Sequence, residues 1–163
     1  MTGSFLKRFL LVPLIAFFIF SCKKDEVEMP VGAAPADHPR IMLLNGEEGE
    51  IHEAIAKSAD LKSVHETLIS RSNSMIGEQP VKRELIGRRL LDKSRKALHR
   101  MFFLSYSFRM TGDRKFFKRA QTEMLAVANF SDWNPSHFLD VAEMTAAMAI
   151  GYDWLYNEMT HEN

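Results

Sequence analysis

From residue 45 onward, apolar positions recur three and four apart, the period of a helix with one buried face. In "NGEEGEIHEAIAKS", residues 45–58, Asn45 supplies a start signal, acids crowd the first turn, and Ile51 and Ile55 stand one turn apart. Acids in that place suit the positive end of a helix. A second helix is predicted over 60–76, with Leu61, Val64, Leu68 and Ile69 on one face, and "GEQP", residues 77–80, breaks it. The third covers 90–110, where Leu91, Leu98, Met101, Phe102, Ser105 and Phe108 keep helical spacing. Leu90, Ala97 and Leu104 widen its stripe. "TGD", residues 111–113, is a tight stop.

The fourth helix, 114–129, turns Phe117, Ala120, Met124 and Val127 inward and Lys115, Lys118 and Arg119 outward. The last, 135–157, is apolar nearly all round, as an inner helix is. Met148, Tyr152 and Leu155 are expected to include members that the earlier helices cannot cover. Ala146, Ala147, Ala149 and Gly151 are read as small because another helix packs close, and Asp153 as a buried hydrogen-bond acceptor. Short turns between successive helices predict antiparallel neighbours, and the alternation of amphipathic with more buried helices predicts two layers. No strand-period alternation of useful length occurs, so the fold class is all-α, built of antiparallel helical hairpins.

The N-terminal 38 residues follow a different pattern. Lys7 and Arg8 precede the apolar run "FLLVPLIAFFIF", residues 9–20, and Ser21-Cys22 follows. A basic start, a short apolar stretch and a small residue before the cut make an export signal over 1–22. The run is shorter than the roughly 20 apolar residues of a membrane span. "IFSC" resembles the lipobox of bacterial lipoproteins, with Phe20 where a smaller residue is usual. That resemblance makes Cys22, the only cysteine, a lipidated N-terminus and the anchor to a membrane. "CKKDE", residues 22–26, resembles the signal that carries some lipoproteins to the outer cell surface. The expected location is the outer membrane, exposed at the cell surface, or otherwise the periplasm. Residues 23–38, charged and then rich in Pro, Gly and Ala, read as a flexible tether.

Net charge is zero, but its distribution is uneven. Residues 82–119 hold thirteen Lys or Arg against Glu84, Asp92 and Asp113, while 120–163 hold seven acids and no Lys or Arg. The basic stretch is either the solvated outer face of two helices or an anion-attracting surface. For an exported, lipid-anchored chain the anion is acidic polysaccharide and not nucleic acid.

"FSDWNPSHFLD", residues 130–140, gathers aromatic, polar and acidic residues around one proline. Asn134-Pro135 reads as a cap pair, Asn at the N-cap and Pro at the first helical position. The helix end would then point free N–H groups outward, as anion-binding helix ends do. Trp133 is a candidate platform for a sugar ring, or else a core anchor. His137 and Asp140, three apart, share a face, so the acid could orient the imidazole. The candidate substrate-binding residues are therefore Trp133, Asn134, His137 and Asp140. Glu143 lies too far round the helix to complete a metal site, and neither a metal nor a cofactor is expected.

Three segments carry a resemblance: "HPRIML", "GRRLLDKSRKALHRMFFLSYSFRMTGDRKFFKRAQTEM" and "FSDWNPSHFLDVAEMTAAMAIGYDWLY". Together they resemble the N-terminal helical region of heparinase II/III-type polysaccharide lyases, from about His38 to the end of the chain. The resemblance implies that 39–163 is the first part of an incomplete (α/α) toroid, in a family that breaks acidic glycans such as heparin, heparan sulfate or alginate by β-elimination. Elimination needs a group that neutralises the uronate carboxylate and residues that move protons. In that family these residues lie later in the toroid and in a following β-sandwich region, so no catalytic position carries over to this chain. The expectation is an inactive fragment that lends cleft surface. The alternatives are a non-catalytic glycan-binding lipoprotein and a helical interaction module.

Overall fold

The structure is a computed structural model that describes residues 37–159. The export signal, Cys22 and nearly all of the tether lie outside the described residues. The described chain folds into α1 (Glu48–Lys57), α2 (Ala59–Met75), α3 (Leu91–Thr111), α4 (Arg114–Ala128) and α5 (Phe138–Met159), with no strand among these residues. None of these helices is long and apolar enough to cross a membrane.

Local chemistry sets most helix ends. Ser58 accepts the Leu61 N–H at 3.3 Å and so starts α2, as an N-cap serine does. Gly112 ends α3 at φ 68°, a left-handed value that suits glycine, and its N–H returns to the Phe108 carbonyl at 2.7 Å. Asp113 then caps α4 by accepting the Lys115 N–H at 3.1 Å. The "TGD" stop is thus a C-cap and an N-cap in succession.

α3 is the central element. α2 runs antiparallel to it, since Ser72 bonds the Phe103 carbonyl while His65 meets Tyr106 and Glu78 meets Arg100. α4 is also antiparallel, with Phe117 against Phe108 and Glu123 against Arg100. α5 runs parallel to α3, because Glu143 meets Arg95, Gly151 meets Met101, and Trp154 meets Phe102. α2 and α4 touch each other where Arg119 Nε donates to the Met75 carbonyl at 3.0 Å. Helix α3 therefore has its parallel neighbour in α5 and its antiparallel ones in α2 and α4.

The core joins Leu90, Ala97, Met101, Leu104, Phe116, Phe117, Ala120, Met144, Ala147 and Leu155. Gly151 is small because it must be: a Cβ there would lie 2.8 Å from the Met101 sulfur and 2.9 Å from that of Met124. Ala149, read from sequence as a packing residue, instead faces outward. The apolar face of α2 is covered only in part, with Leu61 and Val64 exposed and the contact made by Ser72 and Met75. Of the three residues expected to include exposed members, Tyr152 is 52 % exposed, Met148 is half-buried and Leu155 is buried.

Arg119 overturns the outward placement that periodicity gave it. It is buried, with Nη2 2.6 Å from Glu123 Oε2, a charge contact without the alignment of a hydrogen bond. Glu123, fully buried, also takes Arg100 Nη1 at 2.9 Å and the Val81 N–H at 2.9 Å. A buried carboxylate survives where opposite charges and N–H groups surround it.

Candidate functional site

The corner between α4 and α5 is built around two carboxylates. Asp132 faces Arg83, whose Nη2 lies 2.8 and 3.0 Å from its two oxygens. It also accepts the Asn134 N–H at 2.7 Å, a local turn that asparagine and aspartate favour. Arg83, and then that N–H, hold the Asp132 carboxyl below its ordinary value.

Asp140 is buried at the floor of the corner. Its Oδ1 takes Arg89 Nη2 at 2.7 Å and Nε at 2.9 Å, while Oδ2 takes the Leu90 N–H at 2.6 Å and Asn134 Nδ2 at 2.8 Å. Burial alone would raise its pKa, but Arg89, Asn134 and the Leu90 N–H outweigh burial and bring it down to about 2. This knot ties the start of α3 to the start of α5.

The cap pair read from sequence is corrected here. Asn134 has φ 60° and is buried, and α5 begins at Phe138, so Pro135 precedes the helix. Residues 134–137 form a turn closed by the His137 N–H on the Asn134 carbonyl at 2.9 Å. The left-handed backbone at Asn134 is one that asparagine tolerates, and it turns the amide inward onto the Arg88 carbonyl and Asp140. No outward-facing anion site results. The anion at this helix end is the chain's own Asp140, in the first turn.

Nor does Asp140 orient His137. The His137 Nδ1 lies 3.0 Å from Ser136 Oγ and 3.3 Å from Asn134 Nδ2, and no described residue bonds its Nε2. Trp133 is half-buried, packs on the core, and donates from Nε1 to the Val127 carbonyl at 3.3 Å. Beside it Ala128, Phe130, Asp132, Pro135 and Val141 line an open groove of about 430 Å³. Of the four candidates, Trp133 and His137 border accessible space, while Asn134 and Asp140 are spent on each other. Among the described residues no cluster of three or more His, Cys, Asp or Glu could hold a metal ion.

The partners Arg83 and Arg89 were not singled out from the sequence, though the charge segregation was their signal. Arg83, Arg89, Arg95, Arg100, Arg114 and Arg119 meet Asp132, Asp140, Glu143, Glu123, Glu158 and Glu123 respectively. Six of the thirteen basic residues of 82–119 thus meet acids of 120–163, and Lys93, Lys96, Arg109 and Lys115 meet acids elsewhere in the described residues. No protein-family model and no curated protein matches the chain.

Proposed function

We propose that the chain is the opening helical region of a secreted, lipid-anchored polysaccharide lyase of heparinase II/III type, and that by itself it lends glycan-cleft surface without cleaving glycans. The observation that carries this reading is the parallel pairing of α3 with α5, with α4 antiparallel between them in sequence. Hairpins that repeat in this way bring like helices side by side, which is how an (α/α) toroid grows. Trp133 and its groove would border the cleft, with His137 Nε2 available to a sugar hydroxyl. The acids of the corner are committed to Arg83 and Arg89, which supports a binding role for it over proton transfer. Cys22 would carry the lipid, and the ligand class is acidic polysaccharide such as heparan sulfate or alginate.

The test uses the purified chain with heparan sulfate and alginate. Retarded migration in gels containing either glycan is expected, with no growth of the ultraviolet absorbance of unsaturated uronate. Migration unchanged by both glycans defeats the glycan assignment, and steady absorbance growth defeats the non-catalytic one. Should glycan binding fail, Phe138 at 84 % exposure and Leu139 favour the second reading, a helical module that docks on a protein partner.

A further inference from the structure

The segment at 38–41 carries more chemistry than its attachment requires. The N–H groups of Arg40 and Ile41 both reach Asp153 Oδ2, at 2.9 and 3.0 Å, and Trp154 Nε1 holds the Ile41 carbonyl at 2.8 Å. Those bonds fix the backbone to α5 without any help from the side chains of His38 and Arg40.

The two side chains continue outward instead. His38 Nδ1 lies 2.6 Å from Asp153 Oδ1, so the ring donates from Nδ1 and offers Nε2 as an acceptor. The Arg40 guanidinium takes that acceptor. His38 stacks on Tyr156 at 4.0 Å between ring centroids and meets Tyr152 edge-on at 5.9 Å. Tyr152 and Tyr156 are themselves edge to face at 5.3 Å. A buried carboxylate thus orients an imidazole, and that imidazole both holds the exposed Arg40 guanidinium and meets the half-exposed Tyr152 ring. No acid of the described residues forms an ion pair with Arg40, unlike all five arginines of α3 and α4.

We infer that Arg40 and Tyr152, set in place by His38, Asp153 and Tyr156, form a subsite for a sugar ring that bears a carboxylate or sulfate. Guanidinium matches either anion with two parallel N–H groups, and a held guanidinium loses less freedom on binding. The Tyr152 ring offers an apolar face to the C–H side of the sugar, with a hydroxyl at its edge for the sugar's own. Tyr152 lies roughly 20 Å from Phe138 along α5, at a rise of about 1.5 Å per residue. The subsite is therefore distinct from the Trp133 groove. Its ligand class rests on the glycan reading above, whereas its geometry does not.

The test is titration calorimetry of the intact chain with a polyuronate tetrasaccharide and with its carboxyl-reduced, neutral counterpart. Arg40→Gln and Tyr152→Ala are each expected to weaken tetrasaccharide binding about tenfold or more, the scale of one lost charge-assisted bond. Arg40→Gln keeps the backbone N–H on Asp153, so its thermal unfolding should match that of the unaltered chain, which separates lost binding from lost folding. Tyr152→Phe should retain most of the affinity. Undiminished binding by Arg40→Gln and Tyr152→Ala overturns the subsite and leaves the glycan reading standing. Equal affinity for the neutral counterpart overturns the role of Arg40. No binding by the unaltered chain overturns both the subsite and the glycan reading.

Discussion

His38 and Asp153 are separated by 115 positions in the chain, yet Nδ1 of one lies 2.6 Å from Oδ1 of the other. The pair joins "HPRIML", before the first helix, to "GYDWLY", near the end of the last one. Their chemistry is mutual: the second segment supplies the acceptor that the first segment's N–H groups require. His38, last residue of the tether as composition drew it, is by this bond part of the folded body.

Replacing Asp153 with Ala leaves the N–H groups of Arg40 and Ile41 without their acceptor. A fully buried donor left unpaired costs about 1–3 kcal/mol, and these two, in part-buried bonds, together come to about the lower figure. Urea unfolding should register a loss of at least that size, and the Arg40 and Ile41 amides should exchange faster while those of α3 keep their protection. Unchanged exchange at both amides would contradict the clamp.

Asp140 makes stability fall in acid. Its folded pKa of about 2 lies below the ordinary 3.8, so its contribution is whole above about 3.8 and is lost as pH falls toward 2. The chain should lose stability across that window, and Asp140→Asn should flatten the slope there while lowering stability at neutral pH. A variant with the parent's slope between those two pH values would show that other carboxylates govern the acid limb.

Glu123→Ala is expected to be among the most damaging single changes. It leaves Arg100 and Arg119 buried with the Gln79 and Met75 carbonyls, and among the described residues the half-exposed Glu78 is the one carboxylate still paired with Arg100. Removing one partner of a buried pair costs about 3–5 kcal/mol. Glu53→Ala breaks only the exposed pair with Lys57 and should change stability by less than about 1 kcal/mol. Similar midpoints for both variants in denaturant would refute the distinction.

Gly151→Ala sets two effects against each other. Alanine gains about 1 kcal/mol of helix propensity over glycine. The new Cβ, however, meets the Met101 and Met124 sulfurs at 2.8 and 2.9 Å, and overpacking typically costs about 1–3 kcal/mol. A modest net fall in melting temperature is expected, and a larger one for Gly151→Val. A rise on Gly151→Ala would mean that both thioethers swing aside freely.

Much of this architecture was legible in the residues, because helices and their ends are local. Three- and four-residue periodicity located five helices to within a few residues, and "TGD" marked a stop because glycine suits the left-handed turn and aspartate the following cap. Asp153 beside Trp154 read correctly as a buried acceptor, since an acid inside an apolar helix needs donors.

Tertiary structure alone decided which donors those were, and where charge lies inside. Periodicity placed Arg119 outside; its partner Glu123 is one turn along the same helix, but Arg100 of α3 and the Met75 carbonyl of α2, which enclose the pair, arrive only with folding. Asn134-Pro135 carried every local sign of a helix cap, yet Asp140 and the Arg88 carbonyl offered the amide better bonds than the helix end did. The segregated charges told that basic and acidic stretches existed, and folding paired them across distances that no local rule reaches. Short-range geometry is written in neighbouring residues. The partner of a buried polar group is fixed only when distant segments meet, because only then is water excluded and an unpaired charge made costly.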